Sequence, residues 1–326
     1  MKKIGICTLS EACNMGALLQ AFAMQETLKK MGYESEFLRF EHCIIDEEDR
    51  CTPEFIEMRK HLNFSDHYYN PNEDKYDAII VGSDEIWNVL NVGYTHIDEF
   101  IGYNLNAPKI IAYAPGANQT NGETFIKYYS GNRDLSHFTS LSGRDNNAID
   151  IIKKVANVDA PLLLDPTLLI DSYDPYIEKC NEKNFILVYG WFFNDEDKIA
   201  IKNFAKDNNL KLISVGFKLG WCDEFIGSDI FRFLSYMKDA TYVITSETFH
   251  GNIFSIYFNK QFVTTTHGRI KTREIIERAG LEDRDCDSSK EIALKLNKTI
   301  DYTNINKWME NERNKSINYL KNAIEG

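Results

Sequence analysis

Short unbroken apolar runs alternate along this chain with longer stretches in which apolar residues recur every three or four positions. The first run, KIGICTL, is followed by the loop SEACNMG and then by ALLQAFAMQETLKKMGY. In that third piece Leu18, Phe22 and Gln25, or Ala21, Leu28 and Met31, fall near helical spacing, and Gly32 supplies a stop. ESEFLRF reads as the next strand. Strand, loop, helix and strand within ~40 residues make a βαβ unit, which predicts a parallel, doubly wound sheet.

Further strands follow in DAIIVGSDEIW, which ends in Gly-Ser-Asp, and in KIIAYAPGANQ, which ends in Pro-Gly. After APLLLDPTLLI, where two prolines bracket short apolar runs, the alternation restarts. NFILVYGWF, LKLISVGF, TYVIT and QFVTTT read as strands. DEDKIAIKNFAKDNN, DIFRFLSYMKDA and HGNIFSIYFNK read as the helices between them. TREIIERAGL and NINKWMENERNKSINYLKNAIE are amphipathic helices. The pattern predicts two doubly wound domains facing across a cleft, at residues 1–160 and 161–326, with a linker around 155–180. The last helix is a candidate to pack back on the first domain. No internal repeat is evident. Ligand sites in such sheets lie beyond the carboxyl ends of the strands.

Composition narrows the classes. Apolar residues make up 43% of the 326, enough for a sizeable core. The formal net charge of −12 argues against a broad nucleic-acid surface, though a small anion can be held by cations gathered locally. No signal peptide or membrane-spanning run is read in the sequence, which predicts a cytoplasmic protein. The seven cysteines are scattered and lack a CxxC pair, so they read as reduced thiols without a zinc site. No pair of histidines has helical ligand spacing, and neither a metal nor a cofactor is predicted.

Four loops after strands carry candidate chemistry. In NMGALLQ, Asn14 and Gly16 open a helix whose free N–H groups suit an anion, although Asn14 is also an ordinary N-cap. In VGSDEIWN, Ser83 and Asp84 bring a hydroxyl and a carboxylate to a strand end, and a plain turn explains them equally well. Trp87 beside them reads as core. In SLSGRD, Arg144 is a fixed cation suited to carboxylate or phosphate, with Asp145 available as a local partner. In SETFHGNIF, His250 falls at a predicted helix start with Ser246 and Thr248 as capping types. It is either a structural histidine or an acid/base able to take a proton from a hydroxyl.

Taken together, these pieces resemble the polysaccharide pyruvyl transferase family. NMGALLQAFAMQETLKKMGY, YDAIIVGSDEIWN, SLSGRD, LLLDPTLLI and YVITSETFHGNIFSIYFNKQFV match in order over most of the chain, and RIKTREIIERAGLEDR is similar to the family's C-terminal segment. The resemblance implies two Rossmann-like domains in a GT-B-like arrangement. It also implies transfer of a pyruvyl unit from phosphoenolpyruvate to a saccharide as a ketal, in cell-surface polysaccharide biosynthesis. His250 takes the place of the family's motif histidine, and Arg144 that of the arginine in its Ser-x-Arg-Asp/Glu segment. Thr248 stands where several members carry arginine, in a Ser/Thr-Phe-His-Gly variant of the motif. The missing cation would then come from Arg269, Lys271 or Arg273.

On this reading His250 is catalytic. Arg144, Arg269, Gly251 and Thr248 bind the donor, and Asn14, Gly16, Ser83 and Asp84 face the acceptor. The acceptor is expected to be a saccharide on a lipid or nucleotide carrier, with membrane contact peripheral at most. Two alternatives remain at this point: a GT-B-type glycosyltransferase using a nucleotide sugar, and an inactive saccharide-binding relative.

Overall fold

A computed structural model describes residues 1–42, 52–93, 96–265 and 270–326, with the backbone only at 270 and 271. It divides into two compact units, Met1–Ile170 with Asn311–Gly326, and Asp171–Glu310. The first holds β1 (Lys3–Cys7), α1 (Met15–Lys30), β2 (Glu34–Arg39), α2 (Pro53–Arg59), β3 (Phe64–Tyr68), β4 (Ala78–Val81), β5 (Ile110–Ala112), α3 (Gly122–Tyr128) and α4 (Asn146–Ala156). The second holds β6 (Phe185–Gly190), α5 (Asp195–Asp207), β7 (Lys211–Val215), β8 (Glu224–Ile226), α6 (Ile230–Asp239), β9 (Tyr242–Ser246), α7 (Phe249–Tyr257), β10 (Phe262–Thr265), α8 (Ile270–Arg278) and α9 (Lys290–Leu296). Helix α10 (Thr303–Glu325) closes the chain, and its residues from Asn311 onward belong to the first unit.

Both sheets are parallel throughout, in the orders β3-β2-β1-β4-β5 and β10-β9-β6-β7-β8. Counted from its own first strand, each sheet runs 3-2-1-4-5. The chain therefore reverses its winding direction between β1 and β4 in the first unit, and between β6 and β9 in the second. Loops leaving such a pair at their carboxyl ends diverge and open a crevice, where doubly wound sheets bind ligands.

The strands that flank these points are buried along nearly their whole length, as β4 (AIIV) and β6 (FILVYG) show. Helices on both faces of a parallel sheet require this, and it is why these strands read as continuous apolar runs. Helix α1 ends as its sequence suggests: Gly32 takes a left-handed φ of 86°, and Tyr33 N–H donates to Leu28 O. Trp87 is fully buried and its indole N–H donates to Phe100 O, so it belongs to the core. Within the first unit, the end of α10 buries Leu320 and Ile324. Ser316 Oγ there accepts from Leu164 N, and Tyr319 OH donates to Ala112 O.

Four cysteines, Cys7, Cys180, Cys222 and Cys286, are free thiols, three of them buried. Cys13 departs from the sequence expectation, because it is disulfide-bonded. Spacing alone gave no sign of this, since the chain has no CxxC pair.

Candidate functional site

In the first unit, β1 and β4 end side by side, with Cys7 in register with Val81. Thr8 Oγ1 donates to Ser83 O and accepts from Gln20 Nε2, which joins the two diverging loops. Gly82 lies at φ 113°, and a Cβ there would sit 2.3 Å from Tyr113 O. The loop after β4 can therefore press against the loop after β5 only with glycine at this position. Asp84 at φ 58° and Ala114 at φ 47° are also left-handed, a conformation that costs a residue with a side chain about 1–3 kcal/mol. The surrounding hydrogen bonds hold them there: Gly116 N–H donates to Asp84 O and Trp87 N–H to Gly116 O.

Arg144 reaches this loop pair from the segment before α4. It is 5% exposed, and a Cβ on Gly116 would meet its Nη2 at 2.6 Å. Nη1 pairs with Asp165 Oδ2 at 2.6 Å, while Nη2 lies 4.0 Å from Asp84 Oδ1. Burial alone would lower the guanidinium's pKa, but the charges of Asp165, Asp84 and Asp145 outweigh it and hold it above the usual value. Asp165 is itself fixed by Thr167, whose N–H and hydroxyl both donate to Oδ1. Asp145 caps α4 through Ala148 N–H and accepts from Ala117 and Asn118 N–H. Burial pushes its carboxyl up in spite of those donors.

In the second unit, β6 and β9 end together, with Gly190 in register with Ser246. A Cβ on Gly190 would lie 2.5 Å from Ser246 O, so the strand ends meet backbone to backbone. Glu247 follows at φ 53°, and Thr248 is the N-cap of α7. Its hydroxyl does not cap the helix; it donates to Tyr189 O at 3.4 Å. His250 is the second residue of α7, 9% exposed, with its ring edge-on to Phe249 at 5.3 Å. Below it Thr245 Oγ1 donates to Asn252 Oδ1, and Asn252 Nδ2 donates to Thr272 O, so the first turn is tied to β9 and α8. An N-terminal turn at a strand's carboxyl end, without a side-chain cap, presents main-chain N–H groups and the positive end of the helix dipole.

The residues singled out in the sequence thus fall into two groups. Ser83, Asp84 and Arg144 come together in the first unit, and Thr248, His250 and Gly251 in the second. Asn14 is an exposed N-cap whose Oδ1 accepts from Gly16 and Ala17 N–H, and Gly16 is buried in the first turn of α1. Ser83 is fully buried and its hydroxyl donates to Ala114 O at 2.6 Å, so it braces the loop. Asp84 is the group of this set whose carboxylate keeps some exposure, at 17%. Arg269 lies outside the described residues, as does the side chain of Lys271; Arg273 is exposed and paired with Glu277 at 3.0 Å.

Three participants were not picked out from the sequence. Asp165 and Thr167 sit in LLLDPTLLI, which reads as apolar packing, yet they anchor Arg144. Tyr189 closes β6 with its ring 5% exposed and one ring carbon 2.9 Å from a Cβ on Gly251. Its hydroxyl has no hydrogen-bond partner among the described residues, and burial pushes its pKa up. The signal available was a tyrosine immediately before a glycine at the end of an apolar run. Among the described residues no group of three or more His, Cys, Asp or Glu could hold a metal ion, and no helix is long and apolar enough to cross a membrane.

Two Rossmann-like units with paired switch-point loops define a fold shared with GT-B-type sugar-nucleotide enzymes. A UDP-GlcNAc 2-epimerase from Neisseria meningitidis, bound to UDP-GlcNAc, is similar at a TM-score of 0.56 and 10% identity, over 100% of this chain and 98% of that one. The glycotransferase of kitacinnamycin is similar at 0.51 and 9%, over 98% and 95%. A glycosyltransferase involved in avilamycin A biosynthesis is similar at 0.51 and 11%, over 99% and 97%. At such identities the likeness is one of fold. No curated protein sequence matches the chain. Residues 14–269 match the polysaccharide pyruvyl transferase family, and the chain belongs to that family.

Proposed function

We propose that the protein transfers a pyruvyl group from phosphoenolpyruvate to two hydroxyls of a saccharide, forming a cyclic ketal and releasing phosphate. The observation that carries this reading is His250 in the first turn of α7, at the carboxyl end of β9, within a stretch that matches the family. The donor's methylene carbon gains a proton as one sugar hydroxyl adds to the neighbouring carbon. The second hydroxyl then displaces phosphate from that carbon. Of the two hydroxyl protons, one balances the new methyl group and the other leaves on phosphate. His250 is the group assigned to take the hydroxyl proton and to return one.

The donor carries a carboxylate and a phosphate. With threonine at position 248, the α7 N-terminus and the Gly251 N–H are the proposed anion-binding elements of the second unit. Arg269 remains a proposed cation. Arg144 is proposed to act through Asp84: its Nη1 is committed to Asp165 at 2.6 Å, and removal from water favours that partner over a ligand. Asp84 is the proposed acceptor contact of the first unit, by accepting from sugar hydroxyls, while Asn14, Gly16 and Ser83 shape the loops around it.

Thermal unfolding of the purified protein with phosphoenolpyruvate, and separately with UDP-GlcNAc, tests the donor. Ligand at ~100 times its dissociation constant adds about 2.7 kcal/mol to stability, which is visible in the midpoint. Stabilisation by phosphoenolpyruvate is the expected result. Stabilisation by the nucleotide sugar alone would replace pyruvyl transfer with glycosyl transfer.

A further inference from the structure

The segment after β6 carries three aromatic residues in succession, and they are treated differently. Phe193 is buried and packs edge-on against Trp221 at 5.5 Å. Trp191 and Phe192, immediately before it, are 51% and 44% exposed. Apolar cover is thus available one residue away, yet two large rings stay half in water. Their backbone is fixed: Gly190 is pressed against Ser246, and Ser246 Oγ donates to Phe192 O. The two rings lie 6.4 Å apart at 60°, so they form the two sides of a corner. That corner leaves β6 beside the end of β9, the strand that leads into the turn bearing His250, four residues beyond Ser246.

We propose that Trp191, flanked by Phe192, is a stacking face for a pyranose ring at the second unit's switch point. This rests on the reading of the protein as one that modifies saccharides. The chemistry fits. One face of a pyranose presents several C–H groups of partial positive charge, and an indole face is electron-rich. The hydroxyls radiate from the rim, where they stay hydrated or meet polar groups. A neutral ring also requires no cation, which suits a chain of net charge −12. The stack would act on binding and orientation, leaving proton transfer to His250. Trp191 is therefore assigned as a saccharide-binding and specificity-determining residue.

The test uses the full chain and methyl pyranosides of glucose, galactose, mannose and their 2-acetamido counterparts. Binding is followed by ligand-observed NMR in wild type, Trp191→Ala, Trp191→Phe and Phe192→Ala. Trp191 is half exposed, so the variants are expected to fold, and circular dichroism checks this. Trp191→Ala should weaken the best pyranoside roughly five- to tenfold, and Trp191→Phe should restore most of the affinity. The affinity for phosphoenolpyruvate should be unchanged in all variants. Equal pyranoside binding by wild type and Trp191→Ala overturns the proposal. So does binding of uridine, rather than any pyranoside, in a Trp191-dependent way. No pyranoside binding while phosphoenolpyruvate still binds sinks this inference and leaves the donor assignment standing. Trp191-dependent pyranoside binding without phosphoenolpyruvate binding does the reverse.

Discussion

A methyl group added at Gly251 would sit 2.4 Å from Thr248 Oγ1, 2.8 Å from Thr245 Cγ2 and 2.9 Å from Tyr189 Cδ1. None of these can withdraw cheaply, because Thr248 is bonded to Tyr189 O and Thr245 to Asn252. Gly251→Ala is expected to cost about 1–3 kcal/mol, by overpacking, and to displace the turn that carries His250. Urea unfolding at unchanged m-value reads the first effect, and kcat the second. Arg144 makes a contrasting case. With side-chain exposures of 4% and 0%, it and Asp165 form a buried pair. Removing one partner of such a pair costs about 3–5 kcal/mol, so Arg144→Met should destabilise strongly. Arg144→Met with Asp165→Asn should recover a large part of that loss. Were Arg144 held for a ligand alone, the single variant would unfold like wild type.

At the scale of elements, β3 shows how a sheet edge is held by titratable groups. His67 lies between Asp66 and Asp74, each 2.7 Å away, and its pKa is raised to about 8, first by the hydrogen bond it donates to Asp66 and then by that it donates to Asp74. Both carboxyls are held below their usual value. His67 gains its charge more readily when folded. Its contribution is fully present below its ordinary pKa of 6.5 and fades as pH rises through about 8. The carboxylates' contribution is present above their ordinary value and fades as pH falls below it. Backbone hydrogen exchange in β3, corrected for intrinsic rates, should therefore be slowest near pH 5 to 6.5 and accelerate across pH 8. His67→Gln should flatten the upper limb. Elements of this kind were hard to read from the chain. FSDHY in β3 and EFI in β8 are edge strands that carry polar or exposed residues, so the apolar run that marks a central strand is missing. The central strands were legible because burial on both faces demands uninterrupted Val, Ile and Leu. His250 and Thr248 were legible as a helix start following a strand. Thr248's bond to Tyr189, and Arg144's to Asp165, were not, because they join segments far apart in sequence.

Across the whole molecule the chain builds one winding order twice, although no internal repeat is visible in the sequence. Topology needs only the alternation of buried strand and amphipathic helix, and residues of quite different identity satisfy it. The first unit is completed by the chain's far end, where Leu320 is fully buried and Tyr319 and Ser316 bond to Ala112 and Leu164. Leu320→Ala is expected to cost about 2–5 kcal/mol through lost burial and a residual cavity. Calorimetry should show the loss in the unfolding transition to which the first unit belongs. What that scaffold positions, on this account, is a histidine for pyruvyl transfer.

The most direct measurement of that claim is phosphorus and carbon NMR of the protein with phosphoenolpyruvate and the pyranoside panel, beside the His250→Asn variant. The account predicts inorganic phosphate released together with a new ketal carbon. It also predicts a rate at least ~10²-fold lower in His250→Asn, whose midpoint of unfolding should stay near that of wild type. Ketal formation at equal rates in both proteins would contradict it.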